Sequence, residues 1–460
     1  MAKKKVKKQR SCGVCGTPGH TSRTCPDSKD IAVAEEEAEE EEVEEGEVEE
    51  EEESEEETAP AAPPPSKVTK AGKAAIKKTS AAFDSWLAMS EKKWPGTIAK
   101  ADVVAKHIPR ISTGNLGLDI ATFGGVPRGR ILRFYGREKS AKTGSSLNTV
   151  SQFQKHCGEC YERGPCEHGT VSGVDRPKAA ALWIDAEHRL ADMMYWVEGH
   201  DIDLDRLVIL APPSGQHIVD VTDAAIREHG AGLGLIVVDS VANVTSQEEI
   251  AKETMKGRTA PVNALLMNKA LRKWTAAQSE LGVIATKVPT ILLLNQVRQT
   301  MDAFGSPETQ PGGKGMDFAT SIDVRFTHGK LHYLVDDGKG GVEDKMVAFG
   351  TRWKPGEDAA PDYTEINYRV TASGICPNGR YGQFNYWTKV AHGRRIGDVD
   401  NVDRLWGYAC KYDLVGKGGA GWQIGSLTAR TKTDLMDSFG LDTSAQAEVW
   451  GYIVEHLIAP

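Results

Sequence analysis

From about residue 109 onward the apolar residues come in short unbroken runs separated by amphipathic stretches. Five runs stand out, at 131–135, 181–185, 207–210, 233–239 and 290–295. They have the length of strands rather than helices, and they lack the alternation of a strand with one wet face. Helical patterns separate most of them. Such strands, alternating with helices, predict an α/β fold with a mainly parallel sheet covered on both faces. Upstream, Phe83, Trp86, Leu87 and Met89 are spaced as on a helix, which predicts a helical segment over 82–108. The core is expected over 109–345. The less regular remainder, 346–460, predicts a small C-terminal α/β lobe with terminal helices.

Charge changes the picture of the N-terminal part. The 460-residue chain has a net charge of −9, but 18 glutamates and no basic residue fall within 35–57. Without that tract the chain is basic, at +9, a balance suited to a polyanionic partner. The tract cannot bury a core and repels itself, so disorder is expected. A Pro/Ala-rich stretch follows, then Lys67, Lys70, Lys73, Lys77 and Lys78, so 31–81 reads as a linker. The simplest role for the tract is a solubilising spacer; a sharper one is competition with a nucleic acid for the basic surfaces. No apolar run reaches the roughly 18 residues of a membrane span. The basic N-terminus lacks the apolar region of a secretory signal. A cytoplasmic protein without membrane partners is expected, nucleoid-associated, or in the host cytoplasm if phage-encoded.

The first strand run leads into Gly136-Arg137-Glu138-Lys139-Ser140-Ala141-Lys142-Thr143-Gly144. This is close to the phosphate-binding loop Gly-x4-Gly-Lys-Ser/Thr, in which backbone N–H groups wrap phosphates at a helix N-terminus. Lys142 would neutralise the β- and γ-phosphates and Thr143 would hold Mg²⁺. Ala141 stands where the motif has glycine, and its Cβ disfavours a positive φ. Two more runs end in acids. Asp239, followed by Ser240, is placed to hold the Mg²⁺ water shell; a strand-end carboxylate capping the next element is the plainer alternative. Glu187, just past the run ending at Asp185, is placed to polarise an attacking water. Strand ends of this kind lie along one edge of an α/β sheet, where ligands bind.

These segments resemble the RecA family of recombinases. The stretch Ile111-Ser112-Thr113-Gly114-Asn115-Leu116-Gly117-Leu118-Asp119 is similar to the family's entry motif. Asp185-Ala186-Glu187-His188 is similar to the segment carrying the catalytic glutamate, and Val237-Val238-Asp239-Ser240 to the metal-binding strand. Asn295-Gln296-Val297-Arg298 is similar to the strand end whose glutamine senses the γ-phosphate. The most specific likeness is Phe304-Gly305-Ser306-Pro307-Glu308-Thr309 with Gly312-Gly313, which resembles the family's second DNA-binding loop. The resemblance runs from about 107 to 326 and returns faintly over 405–422.

It implies a RecA-like P-loop ATPase core, ATP and Mg²⁺ as cofactors, and Glu187 and Gln296 as catalytic residues. It further implies a homo-oligomeric filament on single-stranded DNA that pairs with double-stranded DNA. The DNA contacts would be Arg298, Lys314, backbone groups at Gly312 and Gly313, and Phe304 stacked against bases or anchored in the core. Lys252, Lys256 and Arg258 of an earlier loop would track phosphates or form a solvated face. The family places lysines of a neighbouring subunit across the ATP just before a proline; residues 369–377 contain none, though Arg369 is available. Together with Ala141, this leaves two readings. One is an ATP-dependent strand-exchange recombinase in recombination and repair. The other is a weakly hydrolysing DNA-binding filament or recombination mediator. A ring helicase with the same core would have no reason for the 304–309 loop.

Two cysteine clusters remain. Cys12, Cys15, His20 and Cys25 have the C-x2-C-x4-H-x4-C spacing of a zinc knuckle within residues 1–30, a module that binds single-stranded nucleic acid; docking to a protein, or a metal-free coil, is the alternative. Cys157, Cys160, Cys166 and His168, within an insertion near 156–170, would staple that insertion around a second Zn²⁺, with His156 as a substitute ligand. Free thiols are the alternative.

Overall fold

A computed structural model of the chain describes residues 70–101, 109–163, 166, 168–169, 178–229, 232–251, 262–282, 288–299, 308–313, 315–350, 360–419 and 421–458. Chain contacts divide it into Met1–Ala75 and Ile76–Pro460. The fold described below is that of the second unit.

The chain enters through α1 (Lys70–Lys93). This helix starts twelve residues before the expected point, inside the stretch read as linker. Its first half is rich in alanine and lysine, both strong helix formers, so propensity carries the helix where no apolar face announces it. Further on, Phe83, Trp86 and Met89 are all about half or more exposed.

The core then alternates strand and helix: β1 (Ile131–Gly136), α2 (Lys142–Gln154), β2 (Ala180–Asp185), β3 (Leu207–Leu210), α3 (Gly215–His229), β4 (Leu233–Asp239), α4 (Val262–Glu280) and β5 (Thr290–Gln296). The five strands fall on the five apolar runs, within a residue at each end. Next come the long β6 (Ile322–Asp336), β7 (Val342–Ala348), β8 (Tyr363–Ser373) and β9 (Tyr381–Trp387). All nine strands form one sheet in the order β9-β8-β6-β1-β5-β4-β2-β3, with β7 paired to β6. From β6 to β3 the neighbours are parallel. The β7, β8 and β9 pairings are antiparallel.

Side-chain alternation sorts the strand residues onto two cores. Leu132, Phe134, Trp183, Val237 and Leu294 face Leu147, Val150 and Phe153 of α2. Ile131, Ile184, Val238 and Leu293 face Ile218 and Ile226 of α3 and Met267 and Trp274 of α4. Both faces are therefore dry, which is why the runs contain no polar alternation.

The sheet does not end at 345. β8 and β9 complete it, so the expected division between core and lobe cuts through one sheet. The lobe with its own core begins at α5 (Asn401–Lys411) and continues through a three-stranded sheet to α6 (Lys432–Leu441) and α7 (Thr443–Ile453). Leu405, Trp406, Leu435, Phe439 and Val449 form that core. No helix among the described residues is long and apolar enough to cross a membrane.

Candidate nucleotide site

β1 ends at Gly136, and after five intervening residues α2 begins at Lys142. Neither Gly136 nor Gly144 has room for a Cβ, which would strike the Phe326 carbonyl at the first and the Tyr386 hydroxyl at the second. Lys139 (φ 58°) and Ala141 (φ 59°, ψ 22°) both adopt the left-handed conformation. Ala141 thus holds the backbone shape that glycine gives the motif, at a cost of ~1 kcal/mol. Ser140 is buried and donates its hydroxyl to the Arg137 carbonyl at 2.8 Å, closing the turn. Glu138 offers its carbonyl to His328 of β6 at 2.6 Å.

The loop is shaped for an anion. Lys142 folds back and donates Nζ to the carbonyls of Arg137 at 2.7 Å and Gly136 at 3.1 Å. Burial lowers its pKa to about 8, against the pull of Asp239, Glu187 and Glu138. Asp239, at the end of β4, is pushed up to about 7, first by burial and then by the negative charge of Glu187. Thr143 donates Oγ1 to Asp239 Oδ2 at 3.2 Å. A hydroxyl and a buried carboxylate so placed are hard oxygen donors that fit Mg²⁺, and Lys142 beside them fits a phosphate. A cavity of about 600 Å³ opens over these residues, walled on its apolar side by Leu190, Trp196 and Leu331.

Glu187, two residues past β2, is almost enclosed. Its Oε1 accepts from the Ser240 hydroxyl at 2.6 Å and from the Gln296 side-chain amide at 2.7 Å. Arg189 lies 3.4 Å from Oε2. The two residues read separately as water activator and phosphate sensor are in direct contact. Sheet order explains it: Gln296, Asp239–Ser240 and Glu187 sit at the ends of β5, β4 and β2, three successive neighbours.

Past Gln296 the chain runs into the loop read as DNA-binding. Arg298–Gln299 pairs antiparallel with Glu308–Thr309. Glu308 receives Arg137 of the phosphate loop at 2.8 Å and Arg325 of β6 at 2.5 Å. This bridge was missed from sequence, because Glu308 was visible only as part of a loop motif. Arg298 reaches the Ala242 carbonyl at 3.4 Å, and Gly312 and Gly313 take φ of 97° and 75°. Arg369, the proposed stand-in for a lysine across the nucleotide, is exposed on β8. Lys252, Lys256, Arg258, Phe304 and Lys314, and the knuckle residues Cys12, Cys15, His20 and Cys25, lie outside the described residues.

The second cysteine cluster does assemble. The ligand atoms of Cys157, Cys160, Cys166 and His168 all lie within 4.8 Å of one another. His156 is not among them; its Nδ1 faces the Gln152 carbonyl at 2.8 Å.

A parallel sheet, a lysine-bearing phosphate loop between its central strand and a helix, and acids on adjoining strand ends define a P-loop nucleotide-binding core. The RecA N-terminal domain model matches residues 82–168 and 167–339, more than half of the chain. The chain is 32% identical over 307 residues to protein RecA of Ruegeria pomeroyi, covering 65% of this chain and 76% of the relative. Protein RecA of Chelativorans sp. is 37% identical over 312 residues, covering 65% and 74%. That of Mesomycoplasma hyopneumoniae is 37% identical over 218 residues, covering 46% and 55%. The chain belongs to the RecA family.

Proposed function

We propose that this chain is an ATP-dependent DNA recombinase that forms filaments on single-stranded DNA and pairs it with a homologous duplex. Family membership supports recombination and repair as its function. The site supports ATP as its driver. Lys142 and the N–H groups opening α2 bind the β- and γ-phosphates. Thr143 and Asp239 would hold Mg²⁺, which would supply charge neutralisation on the phosphate oxygens. Glu187 takes a proton from the attacking water as the water oxygen bonds the γ-phosphorus and ADP departs.

The observation that carries the reading is the Gln296–Glu187 bond. One residue shares a hydrogen bond with the water activator and opens the loop toward DNA, so a γ-phosphate that draws Gln296 away resets both. The Glu308 bridge to Arg137 supports the same coupling. Arg298, Phe304, Gly312, Gly313 and Lys314 then contact DNA, with Lys252, Lys256 and Arg258 along its phosphates and the zinc knuckle on single strands. The exposed Phe83, Trp86 and Met89 are suited to contact with the next subunit of a filament.

The test is ATP turnover with and without single-stranded DNA, beside Glu187→Gln. DNA-stimulated turnover that falls on the order of 10²-fold or more in the variant is expected. No turnover, with DNA still bound in an ATP-dependent way, would overturn hydrolysis and leave a non-hydrolysing filament.

A further inference from the structure

At the opposite end of the sheet from the nucleotide, the chain leaves α2, makes an excursion and returns to start β2. The excursion's described residues include four soft or borderline donors. Among its described residues, Glu159, Glu162 and Arg163 are exposed, while Cys157 and Tyr161 are buried. The Cys157 and Cys160 pair is held in a tight turn: Tyr161 N–H donates to the Cys157 carbonyl at 3.0 Å, and Tyr161 takes φ 61°. The Glu159 N–H points at Cys157 Sγ at 3.4 Å, an arrangement that favours a thiolate. Cys166 pairs with Gly169 and brings His168 round to the same point.

We propose that Cys157, Cys160, Cys166 and His168 bind one structural Zn²⁺ that staples this excursion to the back of the sheet. Three sulfurs and an imidazole are a zinc donor set, and all four tetrahedral positions are filled by protein, so the site is closed to substrate. A tetrahedral zinc with Zn–S of about 2.3 Å needs sulfurs about 3.8 Å apart. The observed cluster, with every donor within 4.8 Å of the others, closes on that geometry with sub-ångström movement. The same residues are not paired as a disulfide.

The staple has something to hold. Tyr161, directly after Cys160, lies over the guanidinium of Arg128 at 3.4 Å. Arg128 is fully buried and donates to the carbonyls of Leu233 and Gly234, where β4 begins. Cys157 also bridges to Lys178, and the Ala179 N–H donates to the His156 carbonyl, fixing the entry to β2. Zinc at the cluster therefore orders the starts of two strands whose far ends carry Glu187 and Asp239.

The test uses the full chain with Cys12→Ser, which removes the other candidate zinc site. Metal analysis of that protein is expected to find one Zn²⁺ per chain, and none after adding Cys160→Ser. Because the double variant is liable to misfold, the Cys12→Ser protein is also stripped with a chelator and refilled with Co²⁺. Thiolate-to-cobalt charge transfer and tetrahedral d–d bands are expected, with a melting temperature that drops on stripping and returns on refilling. A Cys12→Ser protein that carries no zinc and shows no such bands with Co²⁺ overturns the proposal. So does zinc that survives loss of Cys160.

Discussion

The side-chain amide of Gln296 donates to the Glu187 carboxylate at 2.7 Å, across 109 residues of sequence. That bond places the proposed water activator and the start of the proposed DNA loop under one residue. Gln296→Ala leaves Glu187 with Ser240 as its hydrogen-bond donor and cuts the link to the loop. ATP binding should stay near wild type, because Lys142, Thr143 and Asp239 are untouched. Stimulation of ATP turnover by single-stranded DNA should fall by about tenfold or more. Steady-state turnover with and without DNA checks this; full stimulation in the variant would show that Gln296 carries no signal.

Glu308 tests the same coupling from the other side. It neutralises Arg137 and Arg325 together and is mostly shielded from solvent. Glu308→Gln leaves two cations facing one neutral amide. The phosphate loop keeps its internal bonds, so basal nucleotide affinity should change by less than about threefold, while DNA-dependent turnover drops. The bridge is partly exposed on the Arg137 side, so only a modest loss of stability is expected. Fluorescent-nucleotide titration beside the turnover assay separates the two effects. An equal loss in both would mean that Glu308 merely shapes the loop.

Asp239 gives the site a pH dependence. Burial and the charge of Glu187 raise its pKa from 3.8 to about 7. Metal binding needs the ionised form and expels the proton. Through Asp239 alone, affinity for Mg²⁺–ATP should thus weaken roughly tenfold from pH 8 to pH 6, offset about twofold as Lys142, with a pKa of about 8, gains its proton; Asp239→Asn should weaken Mg²⁺–ATP binding at pH 8 and leave only the opposite, Lys142 trend. Stability of the nucleotide-free protein runs the other way. Between about pH 4 and 7 the folded state binds the extra proton, so this group's contribution is lost as pH rises through about 7. Affinity that is flat over pH 6 to 8 would place the raised pKa elsewhere.

What the chain discloses before folding follows the dryness of each element. Four of the five strands were legible because both faces are buried and the apolar run is unbroken; β3, at the edge with Val208 and Ile209 exposed, was legible from its apolar run alone. β8, one strand in from the edge, alternates buried and half-exposed residues, and the edge strand β9 is exposed at its start. Neither produces such a run, so both were assigned to the lobe. The site was legible residue by residue, since Lys142, Asp239, Glu187 and Gln296 each end or follow a strand. Their partners were not. Strands enter the sheet in the order β1, β2, β4, β5 but lie as β1, β5, β4, β2, and only that permutation brings Gln296 onto Glu187. The Glu308 bridge depends in addition on how one loop folds back on another.

Ala141 is the residue at which a local rule is broken, and the geometry defines what it costs. At φ 59° and ψ 22° it sits in a region that an L side chain occupies at ~1 kcal/mol above glycine. The backbone there opens α2, whose N–H groups are the proposed phosphate ligands, so the strain bears on the proposed binding loop and not on a remote turn. Ala141→Gly removes the Cβ penalty but gives the unfolded chain more freedom, and at a positive φ the first effect wins. The variant should be more stable by up to about 1 kcal/mol. It should also bind ATP as well or several-fold better, because the loop no longer resists the shape that phosphate demands. Chemical denaturation with and without nucleotide measures both. If Ala141→Gly binds ATP more weakly, the methyl group, which packs against the core that also holds Leu147 and Tyr386, is holding the loop in its binding shape, and the alanine is a feature of this site and not a defect in it.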